Sequence, residues 1–189
     1  MNRAVFLDRD GVITQDPPHY AHRIDQLKLI PRTIEAIKLL NKNKFKVIVV
    51  SNQSGVGRGY FKENNVDLFN RALEEKLYKY NSFIDAIYYC PHHPKAKIGT
   101  YRVECDCRKP KPGMLLKGAN DYNINLKKSF MIGDKWSDIL AGQAVGCKTI
   151  LVLTGHGNDQ LQTKKLKVDF ISKRLYESVV DIIINKDYS

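Results

Sequence analysis

Short, wholly apolar runs alternate with amphipathic stretches along this chain. The runs at 4–7, 46–51, 84–89, 128–132, 148–153 and 168–171 predict strands. Several, such as Ala4–Leu7 and Val47–Val50, are apolar at every position, the signature of strands covered on both faces. Between them, Ile34, Ile37 and Leu40, and Leu68, Ala72, Leu73 and Leu77, fall on the i, i+3/i+4 stripe of a helix. Helices are expected at 32–43, 63–79, 112–121, 136–145 and 173–185. Strand–helix alternation of this kind predicts an α/β fold, a doubly wound and mainly parallel sheet with helices on both faces. No composition shift divides the chain, so one domain over 1–189, without a large inserted cap, is expected. Two stretches resist assignment. Segment 90–111 carries Pro91, Pro94, Gly99 and Pro110, and a loop of that length inside a compact domain is usually functional. Residues 155–167 read as a mobile loop with no assigned role.

Composition narrows the class. With 189 residues and 43% hydrophobic content the chain can bury a real core. No run is apolar enough to span a bilayer, and the first residues lack the apolar stretch of a signal peptide; a cytoplasmic protein is expected. There the four cysteines, at 90, 105, 107 and 147, read as thiols or metal ligands. The net charge of +11 suits nucleic acid, an anionic membrane or phosphorylated substrates. The lysines, however, lie in small separate clusters at 42–46, 95–97 and 164–167. That is the pattern of a solvated surface, so neither nucleic acid nor membrane is expected as a partner.

The candidate chemistry sits at strand ends. The first predicted strand stops at Asp8-Arg9-Asp10-Gly11, two carboxylates at i, i+2. The second stops at Ser51-Asn52-Gln53-Ser54-Gly55; Arg108-Lys109-Pro110 precedes a helix; and the fourth strand runs into Gly133-Asp134-Lys135, with Asp138 one turn later. Singly, each is compatible with a turn or a helix cap. Together, just beyond the carboxyl ends of successive strands, they supply a nucleophile, a hydroxyl, a cation and metal-binding acids. That inventory suits phosphoryl transfer, which depends on positioning and charge neutralisation.

In this order the four elements resemble the haloacid dehalogenase (HAD) superfamily of aspartate-nucleophile phosphatases, over essentially the whole chain. The resemblance implies a Rossmann-like fold and a role for each matching residue. Asp8 would be the nucleophile that becomes an aspartyl-phosphate, and Asp10 the general acid and then the base. Ser51 would hydrogen-bond a phosphoryl oxygen, with Asn52 and Gln53 near the substrate. Lys109 would neutralise charge and hold Asp8. Asp8, Asp10 (through its carbonyl) and Asp134 would hold Mg2+, with Asp138 orienting Lys109 or the metal shell. A carboxylate becomes an effective nucleophile toward phosphorus once the phosphate charge is masked.

Between 89 and 112, Cys90-Pro91-His92 and Cys105-Asp106-Cys107 offer three thiolates and an imidazole, with His93 as the alternative imidazole. This is the ligand set of a closed, structural Zn2+ site that would staple a coreless loop and place Arg108 and Lys109 at the active edge. Cys147 is expected in the core. The loop resembles those of two related phosphatase groups, acting on histidinol phosphate and on a heptose 1,7-bisphosphate. The strings Tyr-Tyr-Cys-Pro-His-His-Pro (88–94), Cys-Arg-Lys-Pro-Lys-Pro-Gly-Met (107–114), Ser-Asn-Gln-Ser-Gly (51–55) and Gly-Asp-Lys (133–135) favour the second. That resemblance implies a small phosphorylated sugar as partner, a monomer, and a place in making heptose precursors of lipopolysaccharide or surface glycans. Arg58, Arg108 and Lys135 are the candidate cations for the non-reacting phosphate. The chain departs from the pattern at Asp16-Pro17-Pro18-His19-Tyr20, where the family usually has Asp-x-Gly-Tyr, and at Ser51, where threonine is commoner. Two other readings compete: a nucleic-acid 3′-phosphatase, which predicts strongly salt-dependent binding, and a non-catalytic zinc module, in which the acids are dispensable.

Overall fold

A computed structural model describes residues 1–17, 20–163 and 167–185. Six strands, β1 (Ala4–Leu7), β2 (Lys46–Asn52), β3 (Ala86–Cys90), β4 (Phe130–Gly133), β5 (Lys148–Val152) and β6 (Phe170–Ser172), form one sheet in the order β3-β2-β1-β4-β5-β6. Every pairing is parallel, with Val5 opposite both Val47 and Phe130. The chain winds outward from β1 in one direction and from β4 in the other. The topological switch therefore lies between β1 and β4, where the ends of neighbouring strands open a crevice.

The apolar strands bury both faces because alternate side chains point to opposite sides. Val5, Leu7, Val47, Val49, Ile132 and Ile150 meet α1 (Thr33–Lys42) through Ala36, Ile37 and Leu40, and α3 (Glu63–Tyr78) through Leu73 and Leu77. The same face is closed by α7 (Leu175–Glu177) and the π-helix Ser178–Ile184 that continues it. On the other face Phe6, Ile48, Val50 and Met131 pack on α4 (Gly113–Asp121) and α5 (Trp136–Ala144) through Met114, Leu115 and Ala141, with Cys147 in the same cluster. Each full burial of such an aliphatic side chain contributes about 1.5–3 kcal/mol.

The expected strands and the four main helices form within two residues of their predicted bounds, with three differences. A one-turn helix, α2 (Ser54–Gly57), follows β2 directly. The last helix, expected over 173–185, is an α-turn running into a π-helix. Residues 155–167 are not a featureless loop. Within them Gly157–Thr163 form α6, whose Leu161 packs on Trp136 and Ile139 and whose Gln160 carbonyl accepts from Trp136 Nε1 at 2.8 Å. The helix is too short, and too polar at its head, for its single apolar contact to show as periodicity. The part of that segment at 164–166 lies outside the described residues, as do Pro18 and His19.

Candidate active site

Asp8 follows β1, and its N–H donates to Ile132 O of the neighbouring β4 at 3.0 Å. Asp134 follows β4. Placing two charged residues at the ends of adjacent buried strands puts both in the switch-point crevice, and both are buried. Lys109 reaches them from the long loop and is 2% exposed. Its ammonium lies 3.1 Å from Asp8 Oδ1 and 2.6 Å from Asp138 Oδ1, and donates to Val50 O at 2.6 Å. Burial alone would lower the pKa of this amine. The Asp138 and Asp8 carboxylates more than offset that, and it sits above its ordinary value. Asp138 also caps α5, its Oδ2 accepting from Lys135 N at 3.0 Å.

Ser51 ends β2 beside them, its Oγ accepting from Gln53 Nε2 at 2.8 Å. Asn52 lines the same cavity, but its amide clasps the backbone of Lys109, donating to Lys109 O at 3.0 Å and accepting from Lys109 N at 3.1 Å. Asn52 thus fixes the lysine's place. Gln53 lies behind the cavity wall, fully buried, and donates to Asp10 Oδ2 at 2.9 Å. The cavity measures about 600 Å3 and is walled by Asp8, Asp10, Ser51, Arg108, Lys109 and Lys135, among others. Arg108 Nη1 donates to His92 O at 3.1 Å, which ties it to the cysteine loop. Arg58 does not line the cavity; its Nη2 meets His93 Nε2 at 3.1 Å. Lys135 lies 3.3 Å from Asp16 Oδ2, and its charge is held above the ordinary range: burial opposes this, and Asp134, Asp8 and Asp16 override it.

The residues built around Asp134 fit a hard cation. Its Oδ1 is buried without a hydrogen-bond partner among the described residues, while Oδ2 accepts from His156 N at 2.8 Å. Gly11 (φ +89°) and Gly155 (φ +57°) press against it so closely that a Cβ on either would collide with Asp134 Oδ2. An oxygen of Asp8, Asp134 and Asp138 can all be reached from one point. Burial first, then the charges of Asp8 and Asp138, push the Asp134 carboxyl up to about 8, against the opposing pull of Lys135. The metal-free folded chain therefore keeps a proton that the unfolded chain releases near 3.8. The stability from that proton is full below this ordinary value, shrinks as pH climbs and is gone above about 8. A bound divalent cation takes the proton's place. Magnesium is accordingly expected to raise the melting temperature more at about pH 8.5 than at about pH 6. An equal rise at both pH values would show that Asp134 exchanges no proton for metal.

Cys90 at the end of β3 converges with His92, Cys105 and Cys107 of the long loop that follows. Cys107 Sγ lies 3.1 Å from both Cys90 Sγ and Cys105 Sγ, and 3.4 Å from His92 Nδ1. All three cysteines are free thiols, and one ligand atom from each of the four residues can face a common centre. His93 is not part of this cluster: its Nδ1 accepts from Lys95 N and its Nε2 meets Arg58. Of the two imidazoles that the sequence leaves open, the geometry places His92 with the thiols.

Of four further residues here, sequence reasoning missed Arg9 and His156, while Asp16 and Tyr20 stand in the loop it marks as departing from the family pattern. Asp16 bridges Lys135 and His156, its Oδ2 lying 3.1 Å from His156 Nε2. Tyr20 lines the cavity, 3.4 Å from Ser54 Oγ. Arg9, between the two aspartates, is buried and hydrogen-bonded to Asp10. Of the two that were missed, only His156 had a visible signal. Thr154-Gly155-His156 follows an apolar strand just as the recognised motifs do, so it is a fifth strand end of the same kind.

Comparison with known proteins identifies this chain's relatives. The HAD-hydrolase-like family model matches residues 106–178. The D-glycero-beta-D-manno-heptose-1,7-bisphosphate 7-phosphatase of Pasteurella multocida is 46% identical over 156 residues, covering 82% of this chain and 84% of that protein. The Escherichia coli K12 protein of the same name is 42% identical, covering 80% of each. Among solved structures, the D,D-heptose 1,7-bisphosphate phosphatase of B. bronchiseptica, complexed with magnesium and phosphate, superposes with a TM-score of 0.86 at 30% identity. That match covers 96% of this chain and 98% of the other.

Proposed function

Because the chain belongs to the HAD-like hydrolases, and within them to the family of the heptose-1,7-bisphosphate 7-phosphatases, we propose that it removes the 7-phosphate of D-glycero-D-manno-heptose 1,7-bisphosphate. The observation that carries this is the convergence of Asp8, Lys109, Asp134 and Asp138 at the β1/β4 switch point, inside a family of that activity. The relatives' names specify the beta anomer, which is the anomer we propose here. The product would feed heptose precursors of lipopolysaccharide or surface glycans. The whole chain acts as one domain without a large cap, in a reducing compartment, the cytoplasm, where the loop thiols stay reduced. The protein is proposed to act as a monomer on a small phosphorylated sugar. Among the described residues no helix is long and apolar enough to cross a membrane.

Each residue then has a step. Asp8 attacks the 7-phosphorus, forming an aspartyl-phosphate as the ester P–O bond breaks. Asp10 gives a proton to the departing sugar alkoxide, then takes one from the water that cleaves the aspartyl-phosphate. The Ser51 hydroxyl donates to a phosphoryl oxygen. The Lys109 ammonium, held by Asp138, offsets the phosphoryl charge while steadying Asp8. Magnesium, held by Asp8, the Asp10 carbonyl and Asp134, would mask phosphate charge when bound. Arg108 and Lys135 face the cavity and would hold the second phosphate; Arg58 lies outside the lining, against His93. Zinc on Cys90, His92, Cys105 and Cys107 would fix the loop that presents Arg108 and Lys109.

The test offers both anomers of the heptose bisphosphate and histidinol phosphate to the magnesium-loaded protein. Preferred release of one phosphate from the beta bisphosphate is expected. A preference for histidinol phosphate would overturn the substrate, and turnover of none of the three would overturn the activity.

A further inference from the structure

Arg9 has no part in the chemistry above, yet it is one of the largest side chains in the protein to be fully buried, 1% exposed. Burying a guanidinium is costly, and a buried ion pair is a poor source of stability. Its contacts point elsewhere. Nε and Nη2 form a two-pronged fork on the neighbouring carboxylate, 3.1 Å to Asp10 Oδ1 and 3.0 Å to Asp10 Oδ2. Thr14 Oγ1 adds a donor to Oδ1 at 3.1 Å, and Gln53 Nε2 one to Oδ2 at 2.9 Å. The fork is itself anchored from three sides. Nη1 donates to Asn70 Oδ1 at 2.9 Å, Nη2 donates to Ala21 O at 2.9 Å, and the guanidinium carbon lies 4.4 Å from the centre of the Phe69 ring. Asn70 and Phe69 belong to α3, on the sheet's flank, so the orientation of Asp10 is referred to a helix outside the cavity.

We infer that Arg9 is a positioning residue: its α3-anchored fork holds the Asp10 carboxyl in line with the leaving oxygen for the proton transfers. The inference rests on the reading of Asp10 as general acid and base. A carboxyl that must give a proton to the sugar alkoxide and later take one from water serves both steps only if its oxygens keep their direction. A bidentate fork fixes direction where a single donor permits rotation. The Asp10 side chain remains 15% exposed and lines the cavity. Lysine at position 9 keeps the charge but loses the fork.

A leaving-group comparison separates positioning from general damage. An alkoxide needs the proton from Asp10, whereas p-nitrophenolate leaves without one. The comparison is made in kcat/KM, which reports steps only up to formation of the aspartyl-phosphate and so leaves out the water step that both substrates share. With full-length, magnesium-loaded protein, Arg9→Lys is expected to lower kcat/KM on the heptose bisphosphate about 100-fold and kcat/KM on p-nitrophenyl phosphate by roughly threefold or less. Asn70→Leu, which touches Arg9 but not Asp10, is expected to give the same split at about tenfold, and decides the matter if Arg9→Lys does not fold. Equal losses on both substrates, or no loss on either, overturn the proposal. Asp10→Asn is the reference. If it splits the substrates and the Arg9 and Asn70 variants do not, only the role of Arg9 falls. If Asp10→Asn itself lowers both equally, the reading of Asp10 as the acid falls, and this proposal with it.

Discussion

Asp8→Asn protein is expected to release no measurable phosphate from the heptose bisphosphate, a loss on the order of 10^4- to 10^6-fold, as when the nucleophile of a covalently acting hydrolase is removed. The amide has nearly the shape of the carboxylate but no charge, so it neither attacks phosphorus nor holds a cation well. Fold damage is not expected to contribute. Asp8 Oδ1 accepts from Arg9 N at 2.8 Å and faces Lys109 Nζ at 3.1 Å, and an amide oxygen can accept both. The metal-free variant is instead expected to melt at or above the temperature of the parent. Asp8 crowds Asp134 and Asp138 with like charge, which is part of what pushes the Asp134 carboxyl up to about 8, and removing one charge relieves it. Turnover by purified Asp8→Asn protein, measured by phosphate release, would remove the covalent mechanism. A variant that still fulfilled the cellular role would favour the non-catalytic zinc reading.

Cys107→Ser is expected to abolish the zinc binding proposed for this cluster and then most of the activity. Cys107 lies within 3.4 Å of three of the proposed ligand atoms, so its loss opens the set at the centre. Structural zinc contributes about 10–16 kcal/mol of binding free energy in small finger peptides, which here would be available to order residues 91–111. That segment has few apolar residues of its own to bury. Without the ion, His92 O no longer has a fixed place from which to hold Arg108, and Lys109 two residues beyond Cys107 loses its mooring. The expected results are one zinc per parent chain and about none per variant by elemental analysis, proteolysis within 91–111, and kcat/KM lower by about 100-fold. Cys147→Ala is the control. Cys147 is buried in the core beneath α5, its thiol pushed up to about 12 by burial alone, and its loss should lower stability slightly and leave zinc content at one. Unchanged zinc content in Cys107→Ser would exclude this cluster as the binding site.

The strand ends were legible because a buried parallel strand writes its own limits: Ala4–Leu7 and Val47–Val50 are apolar without interruption, so the first polar residue marks the sheet edge. Asp8, Ser51 and Asp134 were found this way, and the paired Cys-x-His and Cys-x-Cys spacings likewise announced their own chemistry. Which contacts those residues make was not legible. Gln53 and Asn52 stand next to Ser51 in sequence and read as substrate contacts, yet one turns behind Asp10 and the other clasps the Lys109 backbone. Arg58 reads as a phosphate clamp and instead meets His93.

Hydrophobic periodicity and local spacing by themselves determined the α/β class, the bounds of most elements and the residues able to carry the chemistry. These depend on interactions within a few residues, or on burial that a single segment records. The order of strands, the joining of Asp16 to His156 across 140 residues and the fork of Arg9 were decided only by the tertiary structure. Each is a meeting of side chains from separate elements. Such meetings depend on how the helices pack on the sheet, and no stretch of sequence records that packing alone.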